Sequence, residues 1–381
     1  MESLVLLNKF KFVLLLGFLV NYCHAAIVDV LKTSILVENT TANDSLKLKQ
    51  AFAQILANST GETILSIVQN PIFSESNIKS GVKRSYFEKI DVKYLSNTKK
   101  QYYWFHLVMH KSFINKIIKQ AGFSLLPHNR EEIVLWVVEE DLTTNIEKTV
   151  SMSNDLNKNT AMGNEHHLKY AYDDEVLMYW LNHWATSLGL VFVMPVIDED
   201  DMLFVTPESI QSLSFEAHQQ SINRYDRNQS LLIYLRKTDD EIKVRSGLFL
   251  NNNDVSIKHF QQAAVELGEI LYSTIVDVAE KYASEFKVNA IDLQQHTVQI
   301  VINSIYNYDA VNEVKKYLSQ LSMIESYSII SATKGQLILQ VELAITTEIF
   351  LQIVARDNVL LFDQNSSYNQ LIFNHLIYID E

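Results

Sequence analysis

The sequence predicts an α+β protein with an α/β middle module: three modules, each a small mixed sheet packed by helices. Three observations carry this. Short runs rich in β-branched residues recur along the chain, separated by segments with helical apolar spacing. In the middle, a strand–helix–strand series between 132 and 197 holds continuous apolar runs of the kind buried parallel strands show. The chain's 381 residues exceed one ordinary domain, and 48% hydrophobic against 20% charged content suffices for several cores.

The first 25 residues stand apart. Lys9 and Lys11 precede FVLLLGFLV at 12–20, an apolar core too short to span a bilayer comfortably, and Cys23 and Ala25 offer a small-residue cleavage site before Ala26. This is the pattern of a cleaved signal peptide, with an uncleaved anchor as the alternative; cleavage leaves no transmembrane span. It also removes Cys23, the chain's one cysteine. An exported protein without disulfides suits a bacterial periplasm better than an animal secretory route. Five N-x-S/T sites, at Asn39, Asn43, Asn58, Asn228 and Asn365, arise readily by chance in an Asn-rich chain.

The first module is placed at 26–125. Residues 26–38 read as a strand. A helix at about 43–57 follows, with Leu46, Leu48, Ala51, Phe52, Ile55 and Leu56 as its apolar face, and NPIF at 70–73 turns the chain. Alternation predicts an antiparallel pair at 84–95 and 101–110 around the loop NTKK, then a helix at 111–122 closed by Gly122.

The second module is placed at 130–288. It opens on the apolar run 132–138, and a polar insertion at 142–169, expected to be mobile, interrupts it. Asp173 and Asp174 start a helix that runs to Gly189, with Val176, Trp180, Trp184 and Leu188 every four residues. LVFVMPVI then reads as a second buried strand, followed by a helix near 207–224, the strands LLIYLRK and EIKVRSGLFL, and a long closing helix at 256–286. The third module, 289–381, reads as strand, helix, a hairpin about Lys334-Gly335, helix and two strands.

A net charge of −13 excludes a nucleic-acid partner, since phosphates need a basic face. The motifs of nucleophilic and zinc hydrolases are absent, and nine glycines form no phosphate-cradling loop, so no nucleotide cofactor is expected. The sharpest chemical candidates are acids at the ends of the two predicted parallel strands. Glu139, Glu140 and Asp141 follow the first; Asp198, Glu199, Asp200 and Asp201 follow the second. Gathered at one sheet edge, Glu139, Asp141, Asp198, Asp200 and Asp201 would suit Ca²⁺ or Mg²⁺, though without the spacing of a calcium loop. The plainer reading is a solvated or partner-facing rim. His106 and His110 fall on a strand pattern, and His166-His167 lies in the insertion, so ordinary histidines explain both pairs.

AFAQILANSTGETIL and NPIF within 51–73, FINKIIKQAGFSLLPHNREEIVLWVVEED at 113–141, LGLVFVMPVIDEDDM at 188–202 and the segment 311–343 together resemble a proteobacterial family known as domain of unknown function 2066. The chain departs from it at LLPHNREE, where members tend to carry a Trp near His128 and a Pro near Glu131. The resemblance implies export to the periplasm of a Gram-negative bacterium and brings no reaction with it. At the level of fold, the middle module is similar to envelope-assembly proteins that bind other proteins. The expected function is therefore a non-enzymatic periplasmic protein binding a cell-envelope partner. The alternative is a divalent-metal-dependent hydrolase or metal-binding protein using the same carboxylates. A third reading, a binding protein for a small solute, predicts a large apolar pocket between modules.

Overall fold

The computed structural model describes residues 25–375, apart from 41–43, 96–100, 143–167, 251–253, 264–266, 289–295 and the short gaps 239, 322, 334, 357–358, 364–365 and 368–369. All but Ala25 of the signal peptide expected at 1–25, together with His166-His167 and nearly all of the insertion expected at 142–169, lies outside these residues. The fold is α+β, with eleven α-helices and several small sheets among the described residues.

The predicted first strand is two. β1 (Ala25–Ile27) pairs with β5 (Asn129–Glu131), and β2 (Lys32–Val37) enters a three-stranded antiparallel sheet in the order β2-β4-β3, with β3 (Val82–Lys89) and β4 (Tyr103–Met109). Helix α1 (Asp44–Thr60) buries Ala51, Phe52, Ile55 and Leu56 as its spacing predicts, but Leu46 is exposed. Thr63 and Asn70 cap the short helices α2 (Ile64–Gln69) and α3 (Pro71–Glu75) by accepting backbone N–H bonds at 3.2 and 3.0 Å. Helix α4 (Lys111–Ala121) ends where predicted, on Gly122 at φ +66°, a left-handed conformation that costs glycine nothing.

Being the central strand, β4 is covered on both faces. Phe105, Leu107 and Met109 pack with α1 and α4, whereas Tyr102 and Trp104 join the core of the middle module. The aromatic run at 102–106 therefore packs into cores on both sides of the sheet.

The middle sheet runs β11 (Asp254–Ala263), β10 (Glu241–Leu250), β9 (Gln229–Lys237), β6 (Ile133–Asp141) and β7 (Leu168–Tyr170), with β8 (Phe192–Val193) also paired to β6. β6 is parallel to β9 and to β8, and antiparallel to β7. Residues 133–138 are wholly buried because helices cover both faces, which is why the sequence there shows no alternation. On one face Ile133, Leu135 and Val137 meet α5 (Glu175–Ser187) and α9 (Leu267–Phe286); on the other Val134, Trp136 and Val138 meet α7 (Pro207–Gln211) and α8 (Phe215–Tyr225).

Three sequence expectations are corrected here. The long helix at 256–286 is strand β11 (Asp254–Ala263) followed by α9, because ten residues pair in register with β10 (Glu241–Leu250) and sheet pairing overrides an ambiguous apolar pattern. The second buried strand shrinks to the two residues of β8, since Pro195 lacks a donor and Ile197 turns to φ +56°. The helix at 207–224 breaks into α7 and α8 where Leu213 takes φ +54°.

Helix α9 lies so close to α5 that a Cβ on Gly268 would stand 2.8 Å from the Trp180 ring, and the Trp184 indole N–H donates to the Gly268 carbonyl at 2.8 Å. From the first module, the Trp104 ring stacks on His183 at 3.5 Å between centroids. Burial, helped by nearby His106 and Lys32, pushes the His183 pKa down to about 3. An unfolded histidine titrates near 6.5, so the folded state is the weaker proton binder and stability falls as pH drops from there toward 3. The expected loss between pH 7 and 4 is roughly 2–3 kcal/mol. Urea unfolding should show it, and His183→Phe should flatten the slope; an equally steep variant would refute the assignment to this ring.

The last module follows the sequence reading throughout. Its sheet order is β13-β14-β12-β16-β15, with β12 (His296–Ile305) parallel to β16 (Gln370–His375), and β13 (Ile324–Thr333) and β14 (Gly335–Leu343) forming the predicted hairpin. β15 is Leu360–Phe362, and helices α10 (Tyr308–Gln320) and α11 (Thr347–Arg356) contribute Val314, Leu318, Phe350 and Val354 to the core. That core is continuous with the first module's: one cluster runs from Phe52, Leu107 and Ile117 to Ile300, Leu339 and Phe373. Across the same junction the Lys111 ammonium donates to the carbonyls of Ser319 and Leu321 at 3.2 and 3.3 Å.

Candidate functional site

The acids at 198–201 start a helix rather than ending a strand. Asp198 is the N-cap of α6 (Glu199–Phe204), its carboxylate accepting the Asp201 N–H at 3.0 Å. That bond, followed by the charge of Arg224, holds the Asp198 carboxyl below the usual carboxylate range. Asp201 is fully buried. It accepts the Ile197 N–H at 2.9 Å and the Tyr225 hydroxyl at 2.5 Å, and Arg224 Nε stands 2.7 Å from its Oδ1, outside hydrogen-bond angles. Burial and then the bond to Asp201 raise the Tyr225 pKa. Arg224, from α8, also pairs with Asp198 and with Asp200 at 3.1 Å.

One guanidinium thus engages three of the four carboxylates, and the fourth, Glu199, faces solvent. The clamp also explains Ile197. A β-branched residue at positive φ is a strained backbone, and Asp201 holds it there through the Ile197 N–H.

The acids at the end of β6 have their own partners. Glu139 is buried and meets the Lys237 ammonium at 2.9 Å, which also reaches Asp174 at 3.0 Å. Glu140 accepts the Tyr234 hydroxyl and lies 3.5 Å from Arg236, while Asp141 is exposed. The two acidic runs thus sit on different cations, and no group of three or more His, Cys, Asp or Glu among the described residues is placed to hold a metal ion. The premise of a shared strand-end site for Glu139, Asp141, Asp198, Asp200 and Asp201 fails because β8 ends at Val193, well before Asp198, and pairs with the opposite end of β6.

His106 and His110 also part. His110 is the exposed N-cap of α4. His106 is buried between β2 and β3, its ring nitrogens bonded to Ser34 Oγ at 2.7 Å and Glu88 Oε2 at 2.9 Å. Burial lowers its pKa, and the two bonds satisfy both nitrogens of a histidine that the core encloses.

What the clamp presents outward is apolar. Met202, Leu203 and Phe204 are 52, 70 and 55% exposed, and Val196, just before the turn, is 75% exposed. Three consecutive large apolar side chains fanned over the last turn of a short helix, beside Glu199 and Asp200, form the kind of surface that marks a protein interface. Sequence reading singled out the acids and missed both the clamp and this patch. The available signal was MLF itself: three consecutive large apolar residues on a six-residue helix cannot all face one core.

Against family models, curated proteins and solved structures, the chain has no match. No helix among the described residues is long and apolar enough to cross a membrane.

Proposed function

We propose that this is a non-enzymatic periplasmic protein that binds a cell-envelope protein through α6. The carrying observation is the exposed Met202-Leu203-Phe204 surface on a helix fixed by the Asp201–Arg224–Tyr225 clamp. A preorganised apolar centre supplies affinity without an ordering cost, and the acidic rim steers a partner whose matching surface is basic around an apolar core. Export and the envelope setting rest on the leader at 1–25 and on the family resemblance.

Proximity cross-linking of tagged protein in intact cells, read by mass spectrometry, tests this. The native chain should capture one reproducible envelope protein, and Leu203→Ser with Phe204→Ser should cut capture by at least about tenfold. Equal capture by both would remove α6 from the interface.

The divalent-cation alternative meets carboxylates already engaged by Arg224 and Lys237. Adding Ca²⁺ or Mg²⁺ should therefore leave the unfolding temperature unchanged, since only a ligand that binds the folded state raises it. A rise that Asp198→Asn and Asp201→Asn abolish would reverse this reading.

A further inference from the structure

A cleft of about 780 Å³ opens between the first and middle modules, within the size range of small-molecule sites. Its walls are β2, α1 and α2 on one side and α5 and α9 on the other. The two sides are tied at one carbonyl: Ser187 at the end of α5 accepts the Thr33 hydroxyl at 3.0 Å and the Asn58 amide at 2.8 Å. Because these donors come from the first module, the two walls are fixed relative to one another at this point.

The lining is ordered by depth. Ala53, Phe73, Trp184 and Leu188 are buried, and the buried Ser34 and Gln54 beside them have side-chain partners in His106 and Asn58, whereas Lys49, Gln50, Glu269 and Ser273 are exposed at the mouth. Leu46 and Val68, both exposed and both lining the cleft, extend the apolar surface outward to meet those polar groups. This explains Leu46, which belongs by spacing to the inner face of α1 yet covers no core.

We infer that the cleft binds a single-chain amphiphile, its hydrocarbon against Ala53, Trp184 and Leu188 and its polar head at Lys49 and Glu269. An apolar interior favours a hydrocarbon chain, and a mouth of mixed charge favours a polar end that stays in water. Because Lys49 and Glu269 carry opposite charges, a head bearing both signs is better matched than a bare carboxylate.

The test uses the full chain and a fluorescent fatty acid, dansyl-undecanoate, displaced by oleate or by lysophosphatidylethanolamine. The probe should saturate, both competitors should displace it, and the monoacyl phosphoethanolamine should do so at the lower concentration. Val68→Asp and Leu46→Asp, at exposed positions that leave folding intact, should each weaken probe binding by about tenfold or more. Leu203→Ser, on the separate α6 patch, should bind as the native chain does. Failure to bind the probe, or binding that the two mouth variants leave unchanged, overturns the site. Stronger displacement by oleate overturns the assignment of the head group.

Discussion

Arg130→Ala is expected to destabilise the fold by about 3–5 kcal/mol, because it strands several carbonyl acceptors and leaves a cavity. Arg130 is among the largest fully buried side chains. Its guanidinium donates to the carbonyls of Gly189 at 3.2 Å, Asn58 at 2.6 Å and Pro127, so one side chain binds the end of α1, the turn after α5 and the linker between the modules. Burial pushes its pKa down to about 10, with Tyr282 opposing. The three carbonyl acceptors offset that burial, so the guanidinium stays charged in the folded protein. Arg130→Lys keeps the charge but not the fork, and should fall between the native protein and the alanine variant. Urea unfolding midpoints decide the matter; a loss below about 1 kcal/mol would mean that water replaces the guanidinium at all three carbonyls.

The second large effect is expected at Asp201. Asp201→Ala removes the acceptor for the Ile197 N–H and the Tyr225 hydroxyl and leaves Arg224 Nε without its buried partner, for a loss of about 2–4 kcal/mol. Asp201→Asn keeps an acceptor and should cost less. The variant should also release Ile197 from its left-handed conformation, and hydrogen exchange should rise in α6 ahead of the sheet. Partner capture should then fail although no side chain of the outward patch has changed. Leu203→Ser should do the converse, losing capture with no change in unfolding midpoint. Full capture by Asp201→Ala would show that the clamp does not organise the interface.

The fold was legible wherever one element meets one environment. The hairpin about Gly335, helix α4 with its glycine stop and helix α5 with Asp174 at its start each carry a local signal that survives packing. It failed where tertiary contacts choose between local options. Residues 254–263 hold an apolar pattern that serves helix or strand, and pairing with β10 decides. LVFVMPVI looks like β6, but only β6 has neighbours along its length; after Val193 the chain turns away to set the clamp. The candidate site was half legible. Four consecutive positions of acid announce themselves in any sequence, whereas the cation that gathers them, Arg224, lies on another helix and is unremarkable where it stands. The cleft had no sequence signal, because its walls come from segments that are adjacent only in the folded protein.

The core shared by the first and last modules bears on the order in which the chain is made. Phe52, Leu107 and Ile117 are synthesised long before Ile300, Leu339 and Phe373, yet all belong to one apolar cluster. While the intervening module emerges, the early module carries apolar surface that its final neighbours have yet to cover, the situation in which chains stick to one another. A chain stopped short of β12 would therefore keep every element of its first module and still behave as an unfinished protein.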